Sequence, residues 1–295
     1  MGYLLLLVAL LAGATKGFCG KKTSGYLNGF KDSMLANLIR MLLCIVIGFV
    51  LILFGGSVAQ LKPSPELILI SALSGVSTAV FVVTWLISVK KSAYMMLDVF
   101  LMMGVLVPLI AGSIFFDEAV KLTQWLGIAV LFGAVMIMCS YNNTIKEKIN
   151  FSSLLLLLIC GFSNGITDFS QKLFVKSLPE ISASVFNFYT YIFAAVTLAV
   201  AYLLVKPREA QGERGVFKKV FGYILIMAIC LFANSFFKTL AAEHLNSVLL
   251  YPLNQGAALI LSTAMSAVFF KEKLTPKCII GILVAFAGLL IINVL

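Results

Sequence analysis

Apolar runs of about twenty residues, the length a helix needs to cross the hydrocarbon layer of a bilayer, alternate with short polar breaks along the whole chain. They fall at 3–20, 33–54, 66–89, 92–116 and 120–140. After a polar link at 142–150 they continue at 151–175, 181–205, 217–240, 246–270 and 275–295. The longest polar connection, 205–219, holds Pro, Gly and mixed charges and reads as a solvated loop. The opening segment places its lysines after the apolar core rather than before it, so it reads as a retained first span and not as a cleaved leader. The short alternating segments of a transmembrane barrel are not the pattern here. The expected fold is an all-α polytopic membrane protein with ten transmembrane helices.

One stretch occurs twice. SIFFDEAVKLTQWLGIAVLFGAVMIM, from Ser113, and AVFFKEKLTPKCIIGILVAFAGLLII, from Ala267, align without a gap. They share Phe115/Phe269, Phe116/Phe270, Glu118/Glu272, Gly127/Gly281, Ile128/Ile282, Val130/Val284, Phe132/Phe286 and Ile137/Ile291. Apolar composition alone does not put a glutamate and a glycine in register. Each copy closes one half of the chain, at about 1–145 and 146–295. Five spans per half is an odd number, so the second half enters the membrane from the opposite face, giving two inverted five-helix repeats. Gly13 and Gly17 in the first span echo Gly161 and Gly165 in the sixth.

Composition agrees, with 61% hydrophobic and 12% charged residues and a mean hydropathy of +1.08, where a soluble domain carries about 25% charged residues. The net charge of +10 comes from basic residues at the ends of apolar runs, which is a topology signal and no nucleic-acid footprint. Connections after odd-numbered spans hold fifteen Lys and Arg, those after even-numbered spans five. Both termini are therefore expected outside, in a plasma (inner) membrane. The six cysteines are scattered in apolar segments, which supports neither a disulfide framework nor a metal site.

This layout resembles the ten-helix EamA-type members of the drug/metabolite transporter superfamily. The resemblance rests on the two five-span halves and on Pro108, Glu118 and Gly127 around the turn between fourth and fifth spans, echoed by Ser262, Glu272 and Gly281. Where that family often has a Trp-Gly-x-Asn-type segment in its first helix, this chain has Gly13–Gly17 with Lys16. The resemblance implies two EamA-like repeats, a central cavity lined by spans 1–4 and 6–9, and spans 5 and 10 outside it as a homodimer contact.

Ionisable groups in hydrocarbon cost at least about 2.5–3.5 kcal/mol at the helix centre, so each needs a reason. Lys16, Arg40 and Asp98 approach from the inner face with complementary signs. Asn164, Asp168, Asn187, Asn234, Lys238, Asn254 and Gln255 lie towards the outer face. Lys16, Arg40, Asp98, Asn164, Asp168, Asn254 and Gln255 are the candidate substrate or coupling residues. Asn254 and Gln255 follow Pro252, which can break a helix and free carbonyls. Glu118 and Glu272 are each expected to cap the helix that follows. Phe186, Phe188, Tyr189 and Tyr191 are aromatic candidates for a cavity wall.

The leading reading is a secondary transporter for a small organic metabolite or drug, working by alternating access, with proton coupling through Asp98 as one form of it. No cofactor or nucleic-acid partner is expected, only a small-molecule substrate and the lipid bilayer. An intramembrane aspartyl protease using Asp98 and Asp168 is the alternative, and a non-transporting membrane scaffold is a third.

Overall fold

The computed structural model describes residues 1–27, 30–91, 94–139, 151–205, 216–270 and 276–294. These form eleven α-helices: α1 (Gly2–Ser24), α2 (Phe30–Phe54), α3 (Pro65–Lys91), α4 (Tyr94–Gly104), α5 (Leu106–Phe115), α6 (Leu122–Cys139), α7 (Phe151–Ser177), α8 (Ala183–Leu204), α9 (Val216–His244), α10 (Ser247–Phe270) and α11 (Pro276–Val294). A single 3-10 turn, Val58–Leu61, lies between α2 and α3. Among the described residues seven helices are long and apolar enough to cross a membrane, and three shorter apolar helices accompany them. Helices answer the bilayer's demand that every backbone N–H and C=O be paired within its own segment. The hydroxyls in these apolar runs obey the same demand. Thr23, Ser163, Thr239 and Thr263 each donate to the carbonyl four residues earlier.

The run at 92–116 is two helices, not one. Pro108 has no N–H to give the Gly104 carbonyl, and α4 ends at Gly104. The break is also where α7 crosses most closely. A Cβ on Gly161 would lie 2.1 Å from the Phe100 carbonyl oxygen, and one on Gly165 would lie 2.2 Å from that of Gly104. Backbone meets backbone here, a small-residue crossing that membrane helices favour. Pro252 behaves differently from expectation: α10 runs through it unbroken. It is the sixth residue of α10, so it forfeits one ladder bond, to the Val248 carbonyl near the helix start, and the helix continues past it.

α1 lies along α9 and α3 along α7; α2 packs on α8 and α9, α3 also on α8, and α4 with α5 on α7 and α10. α6 and α11 pair with each other at the edge of this group. A Cβ on Gly127 would come within 2.6 Å of Ile292 Cγ1, and one on Gly288 within 3.0 Å of the Gly127 carbonyl oxygen. The described partner of Gly127 is thus Gly288 on the facing helix. Around the outside, Leu7, Val46, Leu53, Leu69, Leu203, Phe269 and Leu283 are exposed, an apolar coat suited to lipid.

The links before α3, α6, α8 and α10 gather at one end of the bundle with the start of α1. Gln60 accepts from the Ser182 N–H and donates to the Glu180 carbonyl. Gly2 packs against His244 and Leu245.

Candidate functional site: a charged cavity between the helices

A cavity of about 70 Å³ lies within the bundle. Leu10, Gly13, Ala14 and Lys16 line it from α1, Phe81 and Trp85 from α3, and Leu101 from α4. The other wall is Asn164 from α7, Asn234 and Lys238 from α9, and Asn254, Gln255, Ala258 and Ser262 from α10. Gly13 matters for its shape. A Cβ there would lie 3.1 Å from the Asn234 Nδ2, and that amide donates to the Ala9 carbonyl at 2.7 Å, tying α9 to α1.

Beside the cavity, Lys238 donates to the Asp168 carboxylate in a short ion pair; Asp168 is fully buried and Lys238 nearly so. The second carboxylate oxygen accepts from Asn164 Nδ2 at 3.3 Å. Tyr251 fixes the same turn of α7 by donating to the Asp168 carbonyl at 2.6 Å. A buried carboxylate is tolerable when it is paired and hydrogen-bonded, and both conditions hold. Lys16 has no such partner among the described residues: its ammonium lies 5.6 Å from the centre of the Phe81 ring. The charges of Arg40, Lys238 and Asp168 all act on it. Arg40 is 2% exposed, and its Nε and Nη1 find no acceptor among the described residues.

Lys16, Asn164, Asn254 and Gln255 therefore come together on one cavity, with Asp168 held against it through Asn164 and Lys238. Arg40 does not line the cavity, though its charge acts on Lys16. Asp98 lies on α4, and its side chain falls outside the described residues. The separation into inner and outer sets does not hold for the cavity residues. Lys16 is fourteen residues from Gly2 and Asn164 thirteen from Ser177, so at 1.5 Å per residue both lie about 20 Å from the same end of the bundle. α1 runs on through Lys21 and Lys22 to Ser24, which places Lys16 well inside the helix.

Asn187 serves a neighbouring polar relay instead, in which Gln171 donates to Ser235 and Ser235 to Asn187. The aromatic candidates pack or tie. Phe186 stacks on Phe174 at 4.2 Å between centroids, Tyr189 donates to the Leu61 carbonyl and Tyr191 to that of Leu231. None of them lines the central cavity. Lys238, left out of the candidate set, is the residue that balances Asp168. Its signal was a lone cation in an apolar run facing a lone acid in another.

At the end of the bundle Glu118 makes a second buried ion pair, 3.1 Å from Lys172 Nζ. It does not cap α6, the helix that follows it. Its other oxygen accepts from the backbone N–H of Ser247 at 2.8 Å and so caps α10. Asp117 takes a left-handed φ of 53° just before it, in the turn that leads from α5 to α6. Lys172 also donates to the Ala242 and Leu245 carbonyls. Glu272, the counterpart in the second copy, lies outside the described residues.

A crystal structure of another protein superposes on this fold with a TM-score of 0.77, covering 99% of this chain and 96% of its own at 12% identity. At that identity the likeness concerns the fold. No curated protein sequence matches significantly. Residues 151–294, which include Asn164, Asp168, Lys238, Asn254 and Gln255, match the EamA-like transporter family. That match spans α7 to α11, the second of the two stretches that the doubled sequence sets off.

Proposed function

We propose that this protein is a secondary transporter of a small organic metabolite or drug, working by alternating access across the plasma (inner) membrane. The observation that carries the reading is the cavity itself. Charged and amide side chains from α1, α7, α9 and α10 converge where an apolar core would be more stable. Buried polar groups that could be replaced by packing are a sign of a ligand site.

The ten spans then form two inverted repeats, 1–145 and 146–295, with α4 and α5 together making one span. The packing pattern supports this. Exchanging the halves turns the α1–α9 contact into the contact of α3 with α7, and leaves α2–α8 and α6–α11 as contacts of a span with its own counterpart. Rocking one repeat against the other opens the cavity to each side in turn. Self-association, if the protein dimerises, uses the outward faces of α6 and α11.

Asp98 and Asp168 are the membrane acids suited to proton coupling. Asp168 exchanges Lys238 for a proton only if the pair separates during the cycle. The protease alternative asks Asp98 and Asp168 to share a proton, whereas Asp168 already engages Lys238 and Asn164. The direct test is uptake into proteoliposomes driven by a pH gradient. Asp98→Asn is expected to keep substrate exchange and lose gradient-driven accumulation. Wild-type accumulation by that variant between about pH 5 and 8 would remove Asp98 from the coupling mechanism.

A further inference from the structure

From the balance of charge around the cavity we infer that the substrate is a small organic anion, a carboxylate or phosphate ester, whose negative group meets Lys16 in the cavity and is drawn further by the charge of Arg40 beyond its wall. This rests on the transporter reading and adds the chemical class of what is carried. Among the described residues, two cations line the cavity, Lys16 and Lys238, Arg40 lies beyond the lining with its charge acting on Lys16, and the one carboxylate beside them is Asp168. That carboxylate is already committed to Lys238 and Asn164. Among the described side chains, Lys16 and Arg40 are left without a carboxylate of their own.

The Arg40 guanidinium is nine-tenths buried and more, and two of its nitrogens have no acceptor among the described residues. Buried donors of that strength are normally satisfied, and an anion on Lys16 would offset the Arg40 charge as well. The remaining polar lining, Asn254, Gln255, Asn234 and Ser262, is neutral and suits the hydroxyl or amide groups of a metabolite. A cation in this cavity would meet like charge on two sides. The volume, about 70 Å³, is several times the roughly 10–15 Å³ that one water needs, enough for an anionic head group.

The test is thermal unfolding of the purified protein titrated with matched compounds: inorganic phosphate, succinate and benzoate as anions, succinamide and benzamide as neutral counterparts, benzylamine as a cation. At least one anion is expected to raise the unfolding temperature in a saturable way, while its neutral counterpart does not. Lys16→Met should weaken that binding about tenfold or more, as loss of a charge-assisted hydrogen bond implies, and Arg40→Gln, which removes only a charge beyond the wall, should weaken it less. Lys16→Arg, which keeps the charge, should retain it. Should the anions leave wild-type unfolding unchanged, or the amides or benzylamine stabilise as strongly, the inference is overturned, and Lys16 and Arg40 belong to a carboxylate of the protein instead. Transport itself is read separately, by exchange in proteoliposomes. Failure there removes the transporter reading without touching anion binding.

Discussion

Asp168 and Lys238 show what a single pair contributes at this depth. Each is tolerable only because the other is there, so removing one strands the other. Asp168→Asn should lower stability by about 3–5 kcal/mol, visible as a drop in unfolding temperature and in monodisperse yield. Asp168→Asn combined with Lys238→Met should recover most of that loss while transport stays absent. A double variant as unstable as the single one would show that the pair is not what Asp168 is stabilised by. Glu118 is a different case, because it joins the α5–α6 link to both α7 and α10 through Lys172 and the Ser247 N–H. Glu118→Gln keeps an acceptor for the cap but loses the ion pair. It should therefore cost less than Glu118→Ala, and the order of the two unfolding temperatures checks this. The sequence showed that Asp168 and Lys238 sat in apolar runs and needed a reason, and that Glu118 sat at a turn between two runs. It did not show which partner each would meet, because partners lie on helices distant in the chain: Glu118 faces α10 rather than α6, and Asp168 faces α9.

The helices themselves were legible, since a run of apolar residues bounded by lysines or by Pro and Gly leaves little choice in a bilayer. Their outer ends agree with the sequence reading to within four residues, the largest differences being α1, which continues through its lysines to Ser24, and α9, which continues to His244. What the pattern did not reveal was how backbones approach each other. Pro108 and Pro252 look alike in sequence, yet one lies beside the end of α4 and the other inside a continuous α10. The difference is that Gly104, four residues before Pro108, meets the small residues of α7. Gly161→Ala and Gly104→Ala should each disrupt this crossing, because the added methyl falls 2.1 Å from a carbonyl oxygen of the facing helix, where neither helix can yield by rotating a side chain. Gly133→Ala is the control, with open space where its methyl would go. Thermal unfolding of the three in detergent should separate the first two, strongly destabilised, from the third, unchanged. Equal behaviour would mean that α4 and α7 do not cross so closely.

Taken whole, the molecule is a bundle whose outer surface is apolar and whose centre is charged, with the bulk of its basic links assigned by the charge count to the inner face. A cysteine added after Leu295 should therefore label with a membrane-impermeant maleimide in intact cells; labelling only after permeabilisation would reverse the orientation and exchange the two mouths of the cavity. Orientation leaves the central claim untouched, which is that the cavity between α1, α7, α9 and α10 carries a small molecule across the membrane. The most direct measurement loads purified protein into liposomes, incubates them with an isotope-labelled metabolite extract and follows, by mass spectrometry, which compounds enter. Wild-type liposomes should accumulate at least one labelled compound with time, and liposomes bearing the folded Asp168→Asn/Lys238→Met variant should not. If no compound enters wild-type liposomes faster than it enters the variant or protein-free ones, the cavity is not a transport site and the account is contradicted.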